Sequence, residues 1–300
     1  MERLTANFQI FAVCFYLLAV VFELVISIRH RRRNYYDKQD TRTNLFALVG
    51  MAIVGQLALI PMIMILQGIL DILPYQLPTT WWSVLIALLL VDHSNYWAHR
   101  FGHETNLGWA MHVTHHSTRH YNLSVALRQN WSQVLLFVFF LPIPLFGLPV
   151  YVILFAKALN SFYQFWIHTE YINRLPRWFE FVFNTPSHHR VHHASNTQYL
   201  DRNYAGIFIF WDRLYGTFKR EEARPVYGLT PNIDRHDQFY VQFHHWQALL
   251  RNYWRAPDWR TRLHVLFAPP GAQRELPPIS RAEIKPWMPF ARLLAPKTLA

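Results

Sequence analysis

Cysteine is nearly absent from this chain of 300 residues. The only one, Cys14, lies inside an apolar run, so neither an intramolecular disulfide nor a thiolate zinc finger can be built. Charge is scarce too. Asp, Glu, Lys and Arg together make up 16%, against about a quarter in soluble domains, which argues against an ordinary soluble protein. The Glu-x-x-His pairs of soluble carboxylate-bridged metal bundles are missing. Repeats and low-complexity stretches are also missing. Only Arg3 precedes the first apolar run, and no small-residue cleavage site follows it, so no cleavable signal peptide is expected.

Apolar residues are plentiful, at 52%, with 12 Trp. Rings in that number suit a chain at a membrane–water interface. The net charge of +11 could point to nucleic acid. The basic residues, however, lie outside long apolar runs, so anionic lipid headgroups are the expected partner and nucleic acid is not. Four apolar regions stand out, at 8–28, 45–70, 81–98 and 132–167. The first two reach the roughly 20 residues that a spanning helix needs. The fourth is broken by Pro142, Pro144, Gly147 and Pro149, and reads as two helices joined by a tight turn.

Orientation follows from the basic residues. Arg29, Arg31, Arg32, Arg33 and Lys38 follow the first span and mark that side as cytoplasmic. The connections at 71–80 and 142–149 carry no Lys or Arg and belong on the far side. The expectation is an all-α integral membrane protein of about four transmembrane helices, the last two a hairpin, with a cytoplasmic helical cap. It forms one membrane domain over 1–300, with a histidine region at 99–193 and a tail at 219–300. Trp246, Trp254, Trp259 and Trp287 stand in that tail among Arg251, Arg255, Arg260 and Arg262. Such a segment reads either as lying on the membrane surface or as an ordinary cap.

The 17 histidines matter for where they stand. His99 and His103 form HRFGH, His112, His115 and His116 form HVTHH, and His188, His189, His192 and His193 form HHRVHH. His168 stands alone after the fourth apolar region. Neutral imidazole binds iron, zinc, copper and nickel. On a helix, residues three and four apart share a face. His112 therefore shares a face with both His115 and His116, and those two diverge by one residue's turn. One can serve one metal and its neighbour a second, and His189, His192 and His193 repeat the pattern. Eight or nine imidazoles exceed the needs of one ion, so two metals sharing them is the economical reading. An uncharged shell leaves a metal electron-poor, which suits a strong oxidant of unactivated C–H bonds. Asp92 shares a helix face with Asn95, His99 and His103 and is expected to accept a ligand histidine's second N–H. A helix-packing hydrogen bond is the alternative. Lys157, Ser161, Gln164 and His168 form a second polar stripe. Glu104 and Glu170 each stand close to a histidine and are candidates for orienting a ligand or handling a proton. Arg190 reads as balancing local carboxylates, and Glu23 has no evident partner.

These three clusters resemble the histidine boxes of the fatty acid hydroxylase / sterol desaturase superfamily. Longer strings, among them NLSVALRQ at 122–129, NTPSHHRVHHASN at 184–196 and DRNYAGIFIFWDRLYGTF at 201–218, resemble its ether-lipid-cleaving branch, the alkylglycerol monooxygenases. The similarity covers most of 45–246. It implies two iron ions held by His99, His103, His112, His115, His116, His189, His192 and His193, with His168 as a ninth ligand and His188 in a supporting place. It implies that Glu104 is the branch's box-adjacent glutamate. It implies a membrane lipid substrate, O2, an electron donor that in the branch is tetrahydrobiopterin, and hydroxylation of the carbon next to an ether oxygen to release a fatty aldehyde. Animal members carry further C-terminal apolar spans, which this chain lacks. The alternatives are a hydroxylase or desaturase of a sterol, a fatty acyl chain or another membrane lipid, and a non-enzymatic metal-binding or transport protein. A transporter would string its histidines along a path across the membrane instead of gathering them at one face.

Overall fold

A computed structural model of the chain describes residues 2–30 and 35–271. Among these residues the structure is helical, with one isolated bridge, Ala194 to Tyr227, and no strand. Arg31, Arg32, Arg33, Trp287 and the tail beyond 271 lie outside the described residues.

Two long helices come first, α1 (Glu2–Arg29) and α2 (Lys38–Asp71). Asp37 starts α2 by accepting from the amides of Gln39 and Asp40, at 2.8 and 2.9 Å. Both helices are long and apolar enough to cross a membrane, and they bury little of that apolar surface in the protein. Leu18 is 71% exposed and Leu57 75%. Exposed apolar surface on this scale calls for a non-aqueous neighbour.

The next two apolar regions behave differently. α3 (Trp81–Glu104) opens with a capping box between Thr80 and Ser83. It is apolar at its start and carries Asp92, His99 and His103 towards its end. The expected pair of helices at 132–167 is half replaced. Trp131–Phe140 and Ile143–Phe146 are 3-10 segments, and only Val150–Trp166, α6, is an α-helix. Pro142 and Pro144 supply no amide hydrogen, and aromatic and β-branched side chains dominate 131–140, which weakens the α-helical alternative. Gly147, at φ +74°, makes the turn into α6. At 17 residues α6 is about 25 Å long.

α3 lies along α6, and Ala87, Val91, Leu136, Phe140, Val152, Ile153 and Ala156 fill the space between them and the 3-10 arm. Seven further helices complete the described residues. They are α4 (Asn106–Ala110), α5 (Val113–His116), α7 (Arg177–Val182), α8 (Pro186–His193), α9 (Phe210–Leu214), α10 (Gln238–Arg255) and α11 (Trp259–Phe267). α4 doubles back on α3 closely enough that a Cβ on Gly108 would meet the Phe101 carbonyl oxygen at 2.0 Å. That close approach brings His112 beside the last turns of α3. The tail caps this end: Trp246 donates to Ser132 at 2.8 Å, and Leu249, Ala256 and Val265 pack on Ala110. Trp254 and Trp259 face outward, 71% and 64% exposed.

Candidate metal centre

Three short stretches and one lone residue bring nine histidines together. His99, His103, His112, His116 and His192 present ring nitrogens within 4.8 Å of one another. His115, His168, His189 and His193 do the same as a second group. The adjacent pairs 115–116 and 192–193 are each split between the groups. A helical residue turns its successor to a different face, and the chain uses that turn twice.

The second nitrogen of four rings fixes their chemistry. Nδ1 of His99 donates to the Tyr204 carbonyl at 2.8 Å, and that of His192 to the Arg202 carbonyl at 2.9 Å. His168 donates to the Gln164 carbonyl at 2.8 Å and His115 to the Arg128 carbonyl at 3.2 Å. A carbonyl oxygen only accepts, so each Nδ1 carries the proton and each Nε2 keeps a bare lone pair. The Nε2 atoms of His115 and His168 nevertheless stand 3.3 Å apart, with no proton on either to join them. Nε2 of His192 is buried with no hydrogen-bond partner at all. Other Nε2 separations are 3.0 Å for His99–His112, 3.2 Å for His103–His116, 2.9 Å for His168–His189 and 3.2 Å for His189–His193. A metal–imidazole bond of about 2.0–2.1 Å gives ligand–ligand edges of about 2.8–3.0 Å in octahedral and about 3.3–3.4 Å in tetrahedral shells. Converging lone pairs at this spacing suit a cation in each group. Donor type alone admits iron, zinc, copper or nickel.

Burial holds the pKa of all nine imidazoles below the ordinary histidine value, so each is neutral, as a ligand must be. For His99 and His168 it is pushed down to about 4. In an unfolded chain these groups titrate near 6.5. Below that pH the unfolded state binds more protons than the folded one, so stability falls as pH drops from about 6.5 towards 4. At pH 5 each of these two histidines costs about 2 kcal/mol. The thermal midpoint of the metal-free chain in detergent should therefore fall steeply between pH 7 and pH 5. A flat profile would contradict neutral burial of the rings.

Other expected residues stand elsewhere. Asp92 accepts no histidine N–H. It is fully buried and takes the amides of Ile207 and Phe208, at 2.7 and 3.0 Å, with Asn160 at 2.6 Å and the Trp211 indole at 3.1 Å. Backbone carbonyls orient the rings instead. His188 joins neither group; its ring packs edge-on against Phe218. Glu104 pairs with Arg100 at 2.9 Å and reaches towards the histidines through Tyr204, whose hydroxyl lies 3.5 Å away and whose ring packs on His99, His103 and His192. Glu170 accepts from the Tyr227 hydroxyl. Lys157 sits 5.0 Å from the centre of the Phe140 ring, and Ser161 is exposed, so only the far end of the second polar stripe, Gln164 and His168, reaches the site. Arg190 is paired with Glu221 at 2.8 Å and also donates to the carbonyls of Thr169, Ile172 and Asn173.

Two supports escaped the sequence reading. Arg128, 2% exposed, orients His115 with its carbonyl while its guanidinium ties Ser117, Asn44 and Asp40 to one point. Asn203, at φ +57°, joins the His188 and Lys219 carbonyls beneath α8. NLSVALRQ and DRNYAG contain both residues, but neither string states what they bridge.

Residues 84–217 match the family model described as fatty acid hydroxylase. The chain is 46% identical to human alkylglycerol monooxygenase over 200 residues, and 44% identical to the protein of that name from Xenopus tropicalis over the same length. In each case the match takes in 66% of this chain and 44% of the relative, so the chain spans under half the length of these relatives. It is 29% identical over 146 residues to an ornithine lipid hydroxylase of Rhizobium tropici, 47% of this chain and 44% of that protein. No solved structure matches.

Proposed function

From the premise that residues 84–217 belong to the fatty acid hydroxylase family, we propose that the chain is a membrane-embedded, O2-dependent lipid monooxygenase with one iron in each histidine group. The observation that carries this is the pair of bare Nε2 lone pairs on His115 and His168, 3.3 Å apart. When bound, the irons supply the O2 activation that oxidising an unactivated C–H bond requires. The chain's own part is to hold nine imidazoles neutral and aimed. It also keeps water away from them: apart from half-buried His99, every ring is buried.

The substrate we propose is an ether lipid of the alkylglycerol type. One oxygen atom of O2 enters the C–H bond next to the ether oxygen. The other leaves as water, using two electrons and two protons from a donor. The resulting hemiacetal separates into a fatty aldehyde and an alcohol. Glu104 handles a proton at the edge of the first group through the Tyr204 hydroxyl. The electron donor, tetrahydrobiopterin or another, approaches through a polar cavity of about 230 Å³ lined in part by Asp37, Asp40, Arg119, Arg128 and His236. Its wall includes Ser117, the residue after His116.

The chain crosses the bilayer more than once, with the histidines on the cytoplasmic side. Arg29 and Lys38 at the facing ends of α1 and α2, and a 71–80 connection without Lys or Arg, support that orientation.

Purified chain should carry two irons. Given an ether lipid, O2 and reductant, it should release long-chain aldehyde. A lipid that instead retains a hydroxyl group would favour the second reading, hydroxylation of another membrane lipid, which the similarity to the ornithine lipid hydroxylase supports. A chain that binds no iron and leaves lipids unchanged would sink both. Glu104→Gln should lower turnover about 100-fold, in the range of lost general acid–base help, with iron content unchanged. Turnover within threefold of wild type would remove Glu104 from the proton path.

A further inference from the structure

α1 carries one charge within its apolar run, Glu23, and an ionisable residue there is costly unless partnered. It is 4% exposed and fully engaged. One carboxylate oxygen accepts from the Tyr36 hydroxyl and the Leu123 amide, both at 2.7 Å. The other accepts from the Thr169 hydroxyl. A carboxylate only accepts, so three donors on two oxygens fix its orientation.

Two of these partners lead to the same place. Thr169 directly follows His168. Leu123 opens the 3-10 turn Leu123–Leu127, after which the Arg128 carbonyl meets Nδ1 of His115. Just before that turn, Tyr121 donates to the Ile167 carbonyl at 3.1 Å and lays its ring against His193 and His168, at 5.1 and 6.0 Å. His168, His115 and His193 are three of the four histidines in the second group. Supports of His99, His103 and His192 in the first group come from elsewhere: α3 carries His99 and His103, and the Tyr204 and Arg202 carbonyls hold His99 and His192.

We propose that Glu23 is a positioning residue for the second histidine group alone, binding the N-terminal helix to the two segments that present it. The inference rests on the two-metal reading above and adds that one of the metals depends on α1.

Cobalt(II) titration of the metal-free full chain in detergent, read by visible absorption, tests this without turnover. Wild type should take up two equivalents. Glu23→Ala should bind the first with wild-type affinity and the second about tenfold or more weaker, as for lost ligand support. The spectrum of its singly loaded form should match that of His189→Ala, which lacks a second-group ligand, and differ from that of His103→Ala. Glu23→Gln keeps one acceptor oxygen and should be intermediate. Thr169→Val removes one bond with little change in volume and should act in the same direction. A merely structural role would weaken both equivalents together. That result, or wild-type binding in all three variants, overturns the proposal. A wild-type chain that fails to take up two equivalents overturns the two-metal reading itself, a distinguishable outcome.

Discussion

His168→Ala should leave a folded protein with turnover reduced more than about 100-fold, beyond the 10–100-fold typical of losing an outer-shell partner. Nothing in the sequence around His168 repeats the paired spacing of the other clusters. In the structure its Nε2 lies 2.9 Å from that of His189 and 3.3 Å from that of His115. Removing the ring takes one of four donors from the second group. Metal content should drop towards one per chain, because the five-histidine group keeps every donor. Aldehyde release and iron content, measured on the same preparation, check this. Turnover within a few-fold of wild type with two irons retained would exclude His168 as a ligand.

Asp92→Ala should be the most damaging change outside the histidines. The substitution leaves two backbone amides, an indole N–H and the Asn160 amide buried without their acceptor. An unsatisfied buried donor costs about 1–3 kcal/mol, so four of them remove about 5 kcal/mol or more. That is of the order of a whole domain's stability. The expected result is little or no monodisperse protein in detergent and rapid proteolysis. Asp92→Asn, with one acceptor oxygen in place of two and an NH2 facing donors, should fall between. Wild-type thermal stability of Asp92→Ala would refute this account.

Asp92 also shows where the sequence stops being readable. Its spacing to His99 and His103 is that of a shared helix face, and α3 does place them so. Nothing local says that the loop at 206–208 and Trp211, more than a hundred residues later, would occupy the carboxylate. The same limit applies to Glu23, whose partners lie at 36, 123 and 169. The replacement of an α-helix by 3-10 turns at 131–146 is different. Its prolines and aromatics were visible; what the sequence left unmarked is the tertiary contact of this arm, such as Trp246 on Ser132.

The sequence by itself determined the chemistry on offer and part of its geometry. Histidine spacing of three and four, with adjacent pairs at 115–116 and 192–193, follows from the helical repeat, which acts over a single turn. The length and apolarity of 8–28 and 45–70 likewise determine two helices able to cross a membrane. Only the tertiary structure decided which histidines from which clusters converge, that His168 joins them and that His188 does not. It also decided that backbone carbonyls, not Asp92, fix the tautomers. The physical reason is that every residue has a carbonyl. Which one meets an imidazole is set by long-range packing, and leaves no mark in the local sequence.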